Sequence, residues 1–160
     1  MKCKLFLLSL TLLSCSTATQ AQVRFTEDPN TAINMDIEAK SESAILNIQT
    51  FSRTNQIVPD AYVVITFMND SIIKLTGPVS NNNRMIESDA GHGFADRFNS
   101  NARLIISPSQ AELFKNGIKS LMIRMAPNAF YHEWKDDEIG KPLYARYLIS
   151  KENVMFKKKD

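Results

Sequence analysis

Cysteine is scarce in this chain, and its scarcity removes several kinds of chemistry. The 160-residue sequence has two cysteines, Cys3 and Cys15, and both lie within its first 21 residues. If those residues are a leader cleaved after Ala21, the remaining chain has no thiol. It then has no cysteine nucleophile, thiolate metal site or dithiol redox centre. Because it also has no disulfide, its stability must come from the core alone.

An excess of charge of one sign is also lacking. Of the 19 basic residues, Lys2 and Lys4 belong to the first 21 residues, so 17 remain in the rest of the chain against 17 acidic residues. The sequence has no basic stripe interleaved with aromatic residues, which is the usual footprint of a nucleic-acid-binding surface. The composition therefore gives no reason to expect a nucleic acid as partner.

The first 21 residues have the pattern of an export signal. Lys2 and Lys4 precede a short apolar run over 5–13, which is followed by small and polar residues. This run is far below the roughly 20 residues that a membrane span needs. Cleavage after Ala21 would release a soluble protein, whereas the sequence LLSC resembles a bacterial lipobox and would place a lipid on Cys15. Both interpretations stay open, and membrane attachment is expected only in the second.

The segment from Ala61 to Gly77 predicts a β-hairpin around which the rest of the chain is organised. Residues 62–68 are mostly β-branched and aromatic, which suits a pleated strand. Asn69 and Asp70 tolerate the left-handed dihedral angles of a two-residue turn. Both faces of the first strand are largely apolar, so the strand is predicted to be central and covered on both sides.

A strand, a helix and a second strand are predicted over 102–125. Ser107 is the predicted N-cap, Pro108 occupies the first helical position, and Gln110 can return a hydrogen bond to the cap. Gly117 is expected to end the helix in the left-handed conformation. A second helix is predicted over 142–149 from apolar residues at helical spacing.

Two stretches have no regular pattern. Residues 36–43 are polar and predict a surface connection. Residues 77–101, with three consecutive asparagines at 81–83, are predicted to be the least regular part of the chain, with a short strand at 84–88 as an open alternative. We expect residues 22–160 to form a single α+β domain, with a mainly antiparallel sheet of six or seven strands packed against two helices. A β-sandwich with the helices at its ends is the alternative.

The sequence offers few candidates for a reactive centre. His92 and His132 are the only histidines, and His132 is followed by the acids Glu133, Asp136 and Asp137. Their spacing matches no metal-binding motif, and acids are expected ahead of a helix because of its dipole. No G-x-S-x-G motif marks a serine nucleophile. We therefore predict no catalytic residue, no metal ligand and no cofactor.

Aromatic residues near the C-terminus have two interpretations. They could pack the last helix against the sheet, or some of them could line a shallow groove, because Trp and Tyr are common at contact surfaces. Tyr131 and Trp134 are the predicted binding residues in the second interpretation. The whole group consists of Phe130, Tyr131, Trp134, Tyr144 and Tyr147.

Three pieces of the chain resemble short exported proteins of unknown function from Bacteroides-type bacteria. These pieces are VITFMNDSIIKLTG at 64–77, IISPSQAELFKNGIKSLMIRM at 105–125 and IGKPLYARYLI at 139–149. The resemblance implies export and a single α+β domain. It implies no activity and no functional residue.

Export, small size and the lack of a catalytic signature predict a non-catalytic binding or interaction protein of the cell envelope, with an unknown envelope protein or ligand as partner. Its expected location is the periplasm or the outer membrane, with secretion also open. Two alternatives stay open: a small metal-assisted hydrolase that uses His92 or His132, and a lipid-anchored envelope component.

Overall fold

The structure, a computed structural model, describes residues 23–28, 31–89 and 93–157. Residues 1–21, which the sequence predicts to be an export signal and which include Cys15, lie outside these ranges, as does His92. In chain order the elements are β1 (Val23–Asp28), β2 (Thr31–Ala39), β3 (Ala44–Ser52), β4 (Gln56–Ile57), β5 (Ala61–Phe67), β6 (Ile72–Gly77), β7 (Val79–Asp89), β8 (Gly93–Ile106), α1 (Pro108–Glu112), a 3₁₀ turn (Leu113–Asn116), β9 (Ile118–Ile123), β10 (Met125–Ala126), β11 (Phe130–Glu133) and α2 (Gly140–Lys157).

The described strands form three antiparallel sheets. The five-stranded sheet has the order β1-β2-β3-β8-β7, the four-stranded sheet has the order β11-β9-β5-β6, and β10 pairs with β4. A mainly antiparallel α+β architecture with two helices is therefore confirmed. The predicted count of six or seven strands is wrong, because eleven strands are present in the described residues.

Two stretches account for much of the missing count. Residues 36–39 belong to β2, where side chains alternate between buried and half-buried, so the prediction of a surface connection is wrong there. Residues 79–89 and 93–106 form the long paired strands β7 and β8, so the prediction of irregular structure is wrong as well, although the short strand considered at 84–88 lies within β7. The pairing has a register shift between Asn82 and Met85, next to the consecutive asparagines.

A single core joins the two larger sheets and the helices. Strands β3 and β5 alternate strictly between buried and half-buried residues, with Leu46 and Ile65 fully buried. Phe114 from the 3₁₀ turn meets Phe67 edge-on, with ring centroids 5.3 Å apart. Such an edge-to-face pair adds to the energy of simple burial. Tyr147 brings α2 into the same cluster.

The 61–77 hairpin is confirmed, but its turn differs from the predicted one. Met68, Asn69 and Asp70 form a three-residue loop in which the Asp70 N–H donates to the Phe67 carbonyl oxygen at 2.9 Å. Only Asp70 has a positive φ, of 62°. A three-residue loop needs a single left-handed residue, and that suits a sequence with no glycine at this position.

The capped helix is confirmed at its N-terminus. The Gln110 N–H donates to Ser107 Oγ at 3.2 Å, and the Ser107 N–H donates to Gln110 Oε1 at 2.8 Å. At the other end Gly117 has φ 78° and ψ 155°. This is not the left-handed helical conformation that was predicted, but an extended conformation with positive φ that is open to glycine alone.

The C-terminal helix extends well beyond its predicted range of 142–149. It runs from Gly140 to Lys157 and packs against β2. Ser150 Oγ accepts the Ala39 N–H at 2.9 Å, and Arg146 Nε donates to Asp36 Oδ1 at 2.7 Å. The helix thus supplies a partner for a polar group at the edge of the strand. No helix in the described ranges has both the length and the apolar character to cross a membrane.

The chain passes from one sheet to the other through Gly77 and Pro78. Strand β6 pairs with β5 up to Gly77, and β7 pairs with β8 from Val79 onward. A Cβ atom on Gly77 would lie 2.6 Å from the backbone oxygen of Arg103. That distance is shorter than a non-bonded contact allows, so only glycine fits where the two sheets approach each other.

Candidate functional site

The two predicted binding residues lie at one edge of the four-stranded sheet. Tyr131 is 61% exposed on the outer face of β11, and its hydroxyl donates to Glu133 Oε2 at 3.2 Å. Trp134 follows the strand and is only 5% exposed, with its backbone N–H bonded to the Lys119 oxygen at 2.8 Å. Tyr131 is thus available to a partner, while Trp134 belongs largely to the core. A binding role for either residue stays a prediction.

A surface depression of about 530 Å³ borders Trp134, with Met68, Lys119, Glu133 and Lys135 as its other lining residues. Lys119 Nζ forms an ion pair with Asp70 Oδ1 at 2.8 Å. The hydrogen bond that Lys119 donates to Asp70, together with the charge of that carboxylate, raises the pKa of Lys119. Because both side chains are exposed, this ion pair contributes little to stability. It places one positive and one negative charge beside the depression.

His132 lies on β11, on the opposite face of the strand from Tyr131 and Glu133. Its ring lies 4.3 Å from that of Trp134 in an edge arrangement. Desolvation by burial lowers the pKa of His132 below 6.5, and the charges of Glu138 and Glu133 partly oppose that shift. The neutral imidazole is therefore the form that the fold favours near neutral pH.

Asp137, one of the acids considered for a metal site, has a structural role. Its carboxylate accepts the backbone N–H groups of Ile118 at 2.8 Å, Gly140 at 2.7 Å and Lys141 at 2.8 Å. Two of these donors belong to the first turn of α2, where N–H groups have no partner within the helix. Within the described ranges, no group of three or more His, Cys, Asp or Glu side chains could hold a metal ion.

The outer face of the four-stranded sheet is the most distinctive surface beside Tyr131. In one row across the sheet, Tyr131 is paired with Met122, Met122 with Val64 and Val64 with Lys74. Ile72, which is 58% exposed, and half-buried Tyr62 lie in the adjacent rows. We call Tyr62, Val64, Ile72, Met122 and Tyr131 the apolar face.

The apolar face corrects one expectation from the sequence. Its residues on β5 were predicted to be covered by another layer because both sides of that strand are apolar. Tyr62 and Val64 are only half-buried, and Ile72 and Tyr131 on the same face are 58% and 61% exposed. The sheet therefore presents apolar side chains to its surroundings on this side.

Comparisons with known proteins identify no family for this chain, so a function has to be inferred from its structure. No family model, no curated protein and no solved structure matches the sequence or the fold.

Proposed function

We propose that this chain is a non-catalytic binding protein of the cell envelope that holds a protein partner on the apolar face. The observation that carries the proposal is the row of Tyr131, Met122 and Val64, which lies across three neighbouring strands with Tyr131 61% exposed and the other two half-buried. Exposed apolar patches of this kind are typical of protein–protein contact sites.

The arrangement around the apolar face supports a protein partner. Lys74 and Glu133 are exposed at opposite ends of its rows, and the Lys119–Asp70 ion pair lies beside it. An apolar centre with a charged rim is the usual anatomy of a protein interface. Tyr131 adds a large rigid side chain of the type that is enriched among the residues that dominate binding energy.

The proposal is tested by site-specific photocrosslinking of the full chain in cells. A photoreactive phenylalanine analogue replaces Ile72 on the apolar face in one variant and Ile105, which is 73% exposed on the other large sheet, in the control variant. We expect a discrete crosslinked product from position 72 and none from position 105. Mass spectrometry identifies the partner, and titration of the purified pair measures the affinity.

Tyr131→Ala should weaken binding of the identified partner by about tenfold, because truncating a large aromatic residue at an interface can cost about 1 kcal/mol or more. The proposal is contradicted if position 72 gives no product or the same products as position 105. A product of two copies of this chain would replace the envelope partner with self-association.

A further inference from the structure

The outer face of the five-stranded sheet differs from the apolar face in chemistry. Register places Asn34 beside Gln49 and Gln49 beside Asn101 in one row across the sheet. The neighbouring row contains Asp36, Asn47 and Arg103. Carboxamides from three adjacent strands are thus concentrated at the centre of the sheet. We call Asn34, Asn47, Gln49 and Asn101 the amide group.

The amide group lines a depression in the sheet surface. Its volume is about 480 Å³, and Asp36, Glu38 and Arg103 complete its polar lining. This volume lies within the range of roughly 300–1,000 Å³ that is usual for small-molecule sites. The sides of the depression come from regular strands, so its polar groups are held by the sheet rather than by a loop.

Several hydrogen bonds of the amide group are long. Asn34 Nδ2 donates to Gln49 Oε1 at 3.5 Å, and Gln49 Nε2 and Asn101 Nδ2 donate to Oδ1 of neighbouring Asn99 at 3.3 Å and 3.4 Å. Asn34 Oδ1 is enclosed and accepts no hydrogen bond from the described residues. Each carboxamide can donate two hydrogen bonds and accept two, so these bonds use only part of the capacity of the amide group. An amide turned toward a ligand could use the rest.

The charges around the depression nearly balance. Asp36 is paired with Arg146 at 2.7 Å, and Glu38 is paired with Lys40. Arg103 is the one other charged residue of the lining. A strongly anionic ligand would meet two carboxylates, and a cation would meet acids that already have partners. The depression therefore suits an uncharged ligand that both donates and accepts hydrogen bonds.

From this geometry we propose that the depression binds a neutral carbohydrate. Hydroxyl groups of a sugar act as donors and acceptors, as do the carboxamides of Asn47, Gln49 and Asn101, and both are uncharged. The site is separate from the apolar face, because it lies on the other large sheet. Carbohydrate binding does not depend on the proposed protein partner.

The test applies the purified full chain to an array of neutral and charged glycans, with saturation-transfer NMR on each glycan that binds. We expect binding to neutral glycans, with affinity lowered at least tenfold in the double variant Asn47→Ala, Asn101→Ala. The control is Asn153→Ala, which removes an exposed amide from α2. That control should bind as the unaltered chain does, and thermal melting checks that each variant is folded.

Three outcomes overturn the proposal. They are no binding to any neutral glycan, binding of charged glycans alone, and equal binding by the double variant and the unaltered chain. The crosslinking and glycan-binding results together distinguish failure of the carbohydrate site from failure of the proposed function. If glycan binding fails while position 72 still crosslinks to a partner, only the carbohydrate site is wrong. If crosslinking fails while glycan binding holds, the proposed function is wrong and the carbohydrate site stands.

Discussion

The inner faces of the two large sheets both carry buried apolar side chains, whereas their outer faces carry different kinds of side chain. On β3, fully buried Leu46 is followed by Asn47, and on β5 fully buried Ile65 is preceded by Val64. The core needs apolar residues on both inner faces, so the first residue of each pair is dictated by folding. No such need acts on the outer faces, where the centre of one sheet carries amides beside the exposed Ile105 and the other carries mainly apolar side chains. We attribute this difference to the two proposed binding functions.

Alanine substitutions on β3 and β5 should show the largest difference between the inner and outer faces of the two sheets. We expect Leu46→Ala and Ile65→Ala each to lower the free energy of unfolding by about 3 kcal/mol, through lost burial and the cavity left behind. Asn47→Ala and Val64→Ala should each cost less than about 1 kcal/mol, because these side chains are only half-buried. Urea denaturation of the four variants measures the difference. A loss at Asn47 or Val64 as large as at its buried neighbour would show that the outer residue is structural.

Two aspartates connect α2 to the two large sheets, and their contributions to the free energy of unfolding should differ. Asp137 joins the start of α2 to Ile118 of the four-stranded sheet through three backbone donors. Asp36 joins the five-stranded sheet to Arg146 through one ion pair. We expect Asp137→Ala to lower the free energy of unfolding by about 2 kcal/mol, because it leaves several donors unpaired. Asp36→Ala should cost about 1 kcal/mol or less, as a partly exposed ion pair does.

The same denaturation experiment compares the two aspartate variants directly. Equal losses would contradict the expected difference between the two attachments, and no loss in either variant would mean that α2 is held by its apolar contacts. A larger loss for Asp36→Ala would place the main attachment of the helix on the five-stranded sheet.

A fall in pH should destabilise the four-stranded sheet first. This effect should be smaller than those of the alanine and aspartate substitutions above. The pKa of His132 is lowered in the folded protein, so the unfolded chain binds more protons between that value and 6.5. Stability from the neutral imidazole is therefore full above pH 6.5 and is lost as the pH falls through this window. Hydrogen exchange should show β9 and β11 losing protection before β2 and β3. A His132→Gln variant should lack this order, and the same order in that variant would assign it to other groups.

Local signals in the sequence predicted the elements that depend on local chemistry. Ser107, Pro108 and Gln110 specify the start of α1 through hydrogen bonds within four residues, and that start is confirmed. The 61–77 hairpin follows from its own strand composition. The predicted turn was wrong because a two-residue and a three-residue loop differ by one left-handed residue, and no glycine marks the choice.

Long-range pairing decided the elements that the sequence did not predict. Residues 79–82 have little intrinsic preference for a strand, yet they pair with β8. Similarly, β2 carries Asp36 and Glu38 on its outer face, and the buried Met35 and Ile37, which alternate with these acids, were not recognised as part of a strand. The alternation over 33–38 was the available signal for both β2 and the amide group. Tyr131 could be predicted as a contact residue from its type, but the burial of Trp134 depends on tertiary packing.

Gly77 and Pro78 connect β6 and β7 directly, and these are edge strands of the two large sheets. The Arg103 oxygen lies where a side chain on Gly77 would be, so the two sheets are in close contact at this connection. The amide group and the apolar face therefore lie on two sheets that meet at one short junction. If both bind, the packing of the sheets would set the spacing between the carbohydrate and the protein partner.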